Sequence, residues 1–307
     1  MSRVRFASAL AALIISSPLP AQSDAPRTVD ETIVVEGQRA DPNAVVRDTI
    51  HLAGVAPLAR FEDKVCPGVV GLGGEQSEKL VQMIRANIIA LGGKVQSAGC
   101  TANATVIFTE QPVDLVKKLA KKEPGFFEFT PRELEEFTAK PRAVASWHVT
   151  ETRDRDGNEL GSADRISDKK RKLANANAAL TEPMDARVLR NSGASRLSTN
   201  SRQDMILAFA VIDAAKTRDK NIGQLAALAT VHLLLDVKQD SAAMNRGSIL
   251  SLFEVRPKGA AAPEGLTATD RAMIEALYRP TENNRSARQQ FSQIATAVGR
   301  SARKEGE

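Results

Sequence analysis

Hydrophobic positions along this chain follow two rhythms, and the change from one to the other marks its elements. Over 75–91, Leu80, Met83, Ile84, Ile88 and Leu91 fall three and four residues apart, the spacing that lines up side chains on one helix face. Gly92-Gly93 supplies the stop. Segments 65–72, 94–97 and 104–109 carry β-branched runs without that period and read as extended. A strand–helix–strand unit is therefore expected to open a packed region that starts near Phe61. Shorter helices are predicted at 112–121 and, behind Thr130-Pro131, at 131–138.

Alternation takes over at 143–151, with Ala145, Trp147 and Val149 on one face and Ser146, His148 and Thr150 on the other. Asp156-Gly157 marks a hairpin turn, and 161–202 is polar and irregular, a long surface loop. The stretch 205–213 (MILAFAVID) is apolar on both faces, the mark of a central strand. Asn221 with Gln224 three residues on makes a capping box for a helix to about 235. Leu225, Leu228, Ala229, His232 and Leu235 share its stripe, so it is read as buried against the sheet. Helices at 267–278 and 283–298 complete the chain. The order predicts an α/β (α+β) fold: one domain with a mixed sheet, a buried central helix and a helical C-terminal part.

The first 21 residues add a compartment. Arg3 and Arg5 precede a ten-residue apolar stretch at 6–15 and a break at Pro18-Leu19-Pro20-Ala21, the order of a secretory signal. Residues 22–60 are polar and read as a flexible leader, 61–280 as the domain, and 281–307 as a C-terminal helix and polar tail. No later apolar stretch approaches twenty residues, so no transmembrane span is expected, and the protein is placed in the periplasm or outside the cell. Its two cysteines, Cys66 and Cys100, are expected to pair in an oxidising space, at a gain on the order of 4 kcal/mol in the chain-entropy model.

Charge narrows the partners. The formal +5 overstates the matter, since the signal carries two of the arginines. Lys117-Lys118, Lys121-Lys122 and the basic run at 169–172 lie among acidic residues, which reads as a solvated surface and not a nucleic-acid footprint. Aromatics make up 4% of the chain, too few for a stacking sugar-binding surface. A peptide or an envelope protein is the expected partner.

Segment 221–235, followed by 248–253 (SILSLF), 266–271 (LTATDR) and 276–280 (ALYRP), resembles an exported proteobacterial domain family of unknown function with a zincin-like pattern. That resemblance implies a zincin-like domain that binds extended peptide beside the central helix. A zinc peptidase needs two imidazoles one turn apart, a carboxylate between them and a third ligand. Here the helix offers Gln224 and a single histidine, His232. No metal and no cofactor are therefore expected, and the leading reading is a non-catalytic binding or accessory protein of the cell envelope with a groove along Gln224, His232 and the strand of His148.

Two alternatives remain. One is a metal-independent hydrolase using Asp213, His148 and a serine from 192–201, although no G-x-S-x-G elbow occurs. The other is a partner of the TonB machinery, because 31–39 (ETIVVEGQR) resembles a TonB box, an extended peptide that adds a strand to its receptor. The glycine-rich turn at 71–74 departs from a dinucleotide fingerprint at Gln76 and is read as a tight turn.

Overall fold

Crossovers of the chain set the order of one central sheet. The structure, a computed structural model, describes residues 41–52, 56–159, 161–162, 187–188, 199–244, 247–256, 260–280 and 285–304. In chain order the elements are α1 (Pro42–Thr49), β1 (Pro67–Val70), α2 (Gly74–Ala90), β2 (Ala104–Thr109), α3 (Pro112–Lys122), α4 (Pro131–Thr138) and β3 (Val144–Asp154). A two-stranded ribbon, β4 (Gly161–Ser162) and β5 (Arg187–Val188), precedes β6 (Ser201–Asp213). Then come α5 (Ile222–Leu234), α6 (Ser241–Met244), α7 (Ala268–Tyr278) and α8 (Ala287–Lys304).

The sheet runs β1-β2-β6-β3. β1, β2 and β6 are parallel, and β3 lies antiparallel to β6 at the edge. The fold is thus α/β with a mixed sheet. Alternation along β3 and β6 sends side chains to two separate cores. Ala145, Trp147, Val149, Phe209 and Val211 pack with Val116 of α3 and Phe137 of α4, while Ala208, Ala210 and Ile212 join α2, α5, α7 and α8 in the larger one. Trp147 anchors the smaller core: it stacks on Phe127 and Phe209 at 4.7 and 5.0 Å, and its indole N–H donates to Phe126 O at 2.8 Å.

α5 is apolar all round because every side of it is covered. Both arms of its Asn221/Gln224 capping box are formed. Alanines at 226, 227 and 229, all buried, allow α2 to approach, and Asn87 bonds Thr230 across the contact at 3.2 Å. Leu80, Ile84 and Ile88 of α2 are fully buried against this layer, worth roughly 1.5–3 kcal/mol each. At the C-terminal end of α5, Tyr278 donates its hydroxyl to Leu234 O at 3.0 Å and accepts from Phe61 N–H at 3.3 Å. Buried Asp270 clasps the turn at 248–253 to the start of α7, accepting from Ser248 Oγ, Ile249 N–H and Thr267 N–H. Those contacts give the 248–253, 266–271 and 276–280 segments their structural reason.

The expected leader needs correction from residue 41 onward. Asp41 caps α1 with Pro42 at its first turn, and Val46 and Ile50 are buried in the main core. Gly299 of α8 lets α1 close in, since a Cβ there would stand 3.2 Å from Pro42 Cγ. α8 likewise packs into the main core, through Ile294, Ala295 and Val298. A helix of eight residues with only Val45, Val46, Thr49 and Ile50 to bury shows too short a period to be read from sequence. The signal, the 31–39 segment and most of the 161–202 loop lie outside the described residues.

Cys66 and Cys100 form a disulfide, with Cα atoms 6.1 Å apart and Cys66 buried. Among the described residues no helix is long and apolar enough to cross a membrane. At the end of β1, Gly71 has φ +90°, and a Cβ there would stand 2.1 Å from Phe108 O; the tight turn that leads into α2 passes β2 so closely that it admits only glycine.

Candidate functional site: a cleft along the free edge of β3

Three segments meet beside β3. α5 ends at Leu234, and the chain then runs past β3, where Gln239 Nε2 donates to Ser146 O at 3.0 Å. The end of α1 pairs with the other side of this segment through an Ile50–Val237 bridge and a His51 N–H to Asp236 O bond of 2.8 Å. Between them and β3 lies a cleft of about 890 Å³, within the size range of ligand sites. Leu58, Phe129, Phe137 and Leu277 give it apolar walls; Asp48, Glu128, Glu133, Asp236 and Asp240 face it against one lysine, Lys238.

Among the described residues β3 has a strand, β6, on one side only. Asp213 N–H donates to Ala143 O at 2.9 Å, so in the antiparallel alternation the odd residues of β3 bond β6 and the even ones turn their main chain outward. Two outward groups are already capped: Ser146 C=O by Gln239, and Thr150 N–H by Glu128 at 2.8 Å. Those of His148 and Thr152 meet no capping side chain among the described residues. His148 is partly exposed as a residue while its side chain is 3% exposed, so what solvent reaches there is main chain.

All three histidines of the chain come to this place. His232 Nδ1 lies 2.8 Å from Ser146 Oγ, and burial, aided by neighbouring His148, pushes its pKa down to about 3. So weak a base leaves the Ser146 hydroxyl unactivated at neutral pH. His148 Nε2 donates to Leu233 O at 3.3 Å, since a carbonyl only accepts; burial lowers its pKa, and its Nδ1, bare in that tautomer, has no hydrogen-bonding partner among the described residues. His51 Nδ1 sits 3.3 Å from Asp236 Oδ2, and its hydrogen bond to Asp236 raises its pKa.

His148 and His232 thus stand together at the end of α5, as neighbours across the β3 contact. Gln224 does not join them: it is eight residues away at the other end of α5, where its side chain serves Asn221 N–H and Pro263 O. Asp213 is also apart. His148 pairs with Ala208, so Asp213 is five residues further along β6, about 17 Å at ~3.4 Å per residue, and its carboxylate caps Ala215 N–H. Of the serines considered with them, 192–198 lie outside the described residues, and Ser201 opens β6 at its opposite end. The three groups therefore do not form a triad. Sequence reasoning missed Ser146, Asp236 and His51 as members of the site; the alternation that paired Ser146 with His148 was the one available signal.

Among the described residues no group of three or more His, Cys, Asp or Glu side chains is placed to hold a metal ion. No family model, curated protein or solved structure matches the chain.

Proposed function

We propose that the protein is an exported, non-catalytic binding protein of the cell envelope whose ligand is an extended polypeptide segment that pairs with the free edge of β3. The observation that carries this reading is the cleft of about 890 Å³ running beside the outward main chain of His148. Strand addition of this kind draws affinity from main-chain hydrogen bonds and specificity from alternate side chains. Export is supported by the order of residues 1–21, and a disulfide accords with an oxidising compartment. The zincin-like resemblance adds support, since such domains hold extended peptide beside the helix that corresponds to α5. A binding role in place of hydrolysis is supported by His232, whose burial depresses its pKa and weakens the base that Ser146 would need, and by the separation of His148 from Asp213 along β6.

The test is calorimetric titration of the purified chain with the peptide acetyl-Thr-Val-Lys-Val-Thr-amide and with the same peptide N-methylated on alternate residues. Loss of binding by roughly tenfold or more in one of the two methylation registers is the expected result, because each register removes a different set of main-chain donors. Equal binding by all three peptides overturns the reading, as does the absence of binding by any.

A further inference from the structure

Resting on strand addition at β3, we infer that the segment received there is basic, with lysine or arginine side chains that lay their aliphatic stems on the apolar floor of the cleft and carry their charge to carboxylates at its rim. The cleft wraps around the strand edge. On the α4 side its floor is Phe129 and Phe137 of the smaller core, lined with them by the exposed Glu128 and Glu133. On the α1 side its floor is Leu58 and Leu277 of the larger core, lined with them by the partly exposed Asp48 and Asp236. Consecutive side chains of an added strand point to opposite faces, so a basic residue meets an apolar floor and two carboxylates in either register.

Charge chooses among the occupants. Of the basic side chains that line the cleft, Lys238 turns its ammonium to Arg47 O at 2.6 Å, and His51 is bonded to Asp236. Among the described residues Glu128, Glu133 and Asp240 form no ion pair, and a cation answers that imbalance. Two of these carboxylates are held in place before a ligand arrives: Glu128 accepts from Thr150 N–H at 2.8 Å and Glu133 from Thr130 N–H at 2.7 Å. Each keeps lone pairs for a further donor, and little ordering is left to oppose binding. A compact cation would leave the apolar floor bare, and an apolar residue would leave the carboxylates unanswered. Lysine and arginine carry a long apolar stem with a charged end. The chain's own segment 30–38 contains Asp30, Glu31 and Glu36 and no basic residue, so like-charge repulsion makes it the wrong occupant.

Calorimetry tests this with acetyl-Thr-Val-Lys-Val-Thr-amide and the same peptide carrying norleucine or glutamate in place of lysine. The titrations are made at about 0.01 M salt, where charges act over roughly 30 Å, and at about 1 M, where they act over roughly 3 Å. At low salt the norleucine peptide is expected to bind roughly threefold more weakly or worse than the lysine peptide, and the glutamate peptide roughly tenfold or worse. At high salt the three converge. Asp48→Asn, Glu133→Gln and Asp240→Asn combined are expected to leave affinity for the norleucine peptide unchanged and to narrow the gap between the lysine and glutamate peptides by roughly threefold or more. All three side chains are wholly or partly exposed, and glutamine serves the Thr130 capping box as glutamate does, so the variant is expected to fold, which its thermal midpoint checks. Equal binding of the lysine and norleucine peptides at low salt overturns the inference, as does an undiminished gap in the variant; if N-methylation still weakens binding, strand addition stands. A salt-dependent lysine preference that N-methylation leaves untouched keeps the basic ligand and removes strand addition. Binding of none of the peptides overturns both.

Discussion

Ser146 Oγ and His232 Nδ1 lie 2.8 Å apart, joining the edge strand to the last turn of the central helix in a buried pair. The histidine's pKa of about 3 in the fold compares with about 6.5 when unfolded. Between those values the unfolded chain binds the proton and the folded one does not. Stability is therefore whole above pH 6.5 and is lost as pH falls toward 3, by up to about 1.4 kcal/mol per pH unit. His148 shifts in the same direction. His51, raised by Asp236, acts oppositely: its contribution is present below pH 6.5 and fades as pH rises through its folded value. His232→Gln keeps a partner for Ser146 without a titrating ring. Between pH 7 and 5 the variant is expected to lose about 2 kcal/mol less than wild type, read from urea midpoints; identical losses contradict the assignment.

The Tyr278 hydroxyl serves two buried main-chain groups, Leu234 C=O and Phe61 N–H. Tyr278→Phe leaves both without it and is expected to cost about 1–3 kcal/mol. The urea midpoint should fall with an unchanged slope. An unchanged midpoint would show that this clasp does not hold the end of α5.

Metal analysis bears on the site directly. His148 Nδ1 and Asp236 Oδ1 are 3.9 Å apart, wider than the roughly 3.3–3.6 Å between neighbouring ligands of a tetrahedral zinc ion, and among the described residues no third His, Cys, Asp or Glu side chain is placed to complete a site with them. Protein purified with excess zinc and then dialysed is expected to retain well below one equivalent. A full equivalent, lost in Asp236→Asn, would contradict this and place a metal centre at the cleft.

Local signals made most of the elements legible. Thr130-Pro131 and Asn221/Gln224 announced α4 and α5 because capping is written within four residues. The odd residues of β3 announced the smaller core. What stayed hidden depends on distance in sequence. Ser146, His148 and Thr150 read as the polar face of a strand, and nothing local shows that Ser146 is buried and the His148 side chain with it, since it is the end of α5 that covers them. Ser201 to Asp204 of β6 are too polar to predict a strand, and pairing with Glu151 to Asp154 extends it. Asp236 and His51 enter the site only because α1 folds back over the exit from α5, and no local period encodes that return.

Amide hydrogen exchange at His148 tests the central claim most directly. With acetyl-Thr-Val-Lys-Val-Thr-amide bound, the His148 N–H, which turns outward from β3, is expected to slow markedly while amides on β1, at the far side of the sheet, keep their rates. Unaltered exchange at His148 under saturating peptide would contradict strand addition at this edge.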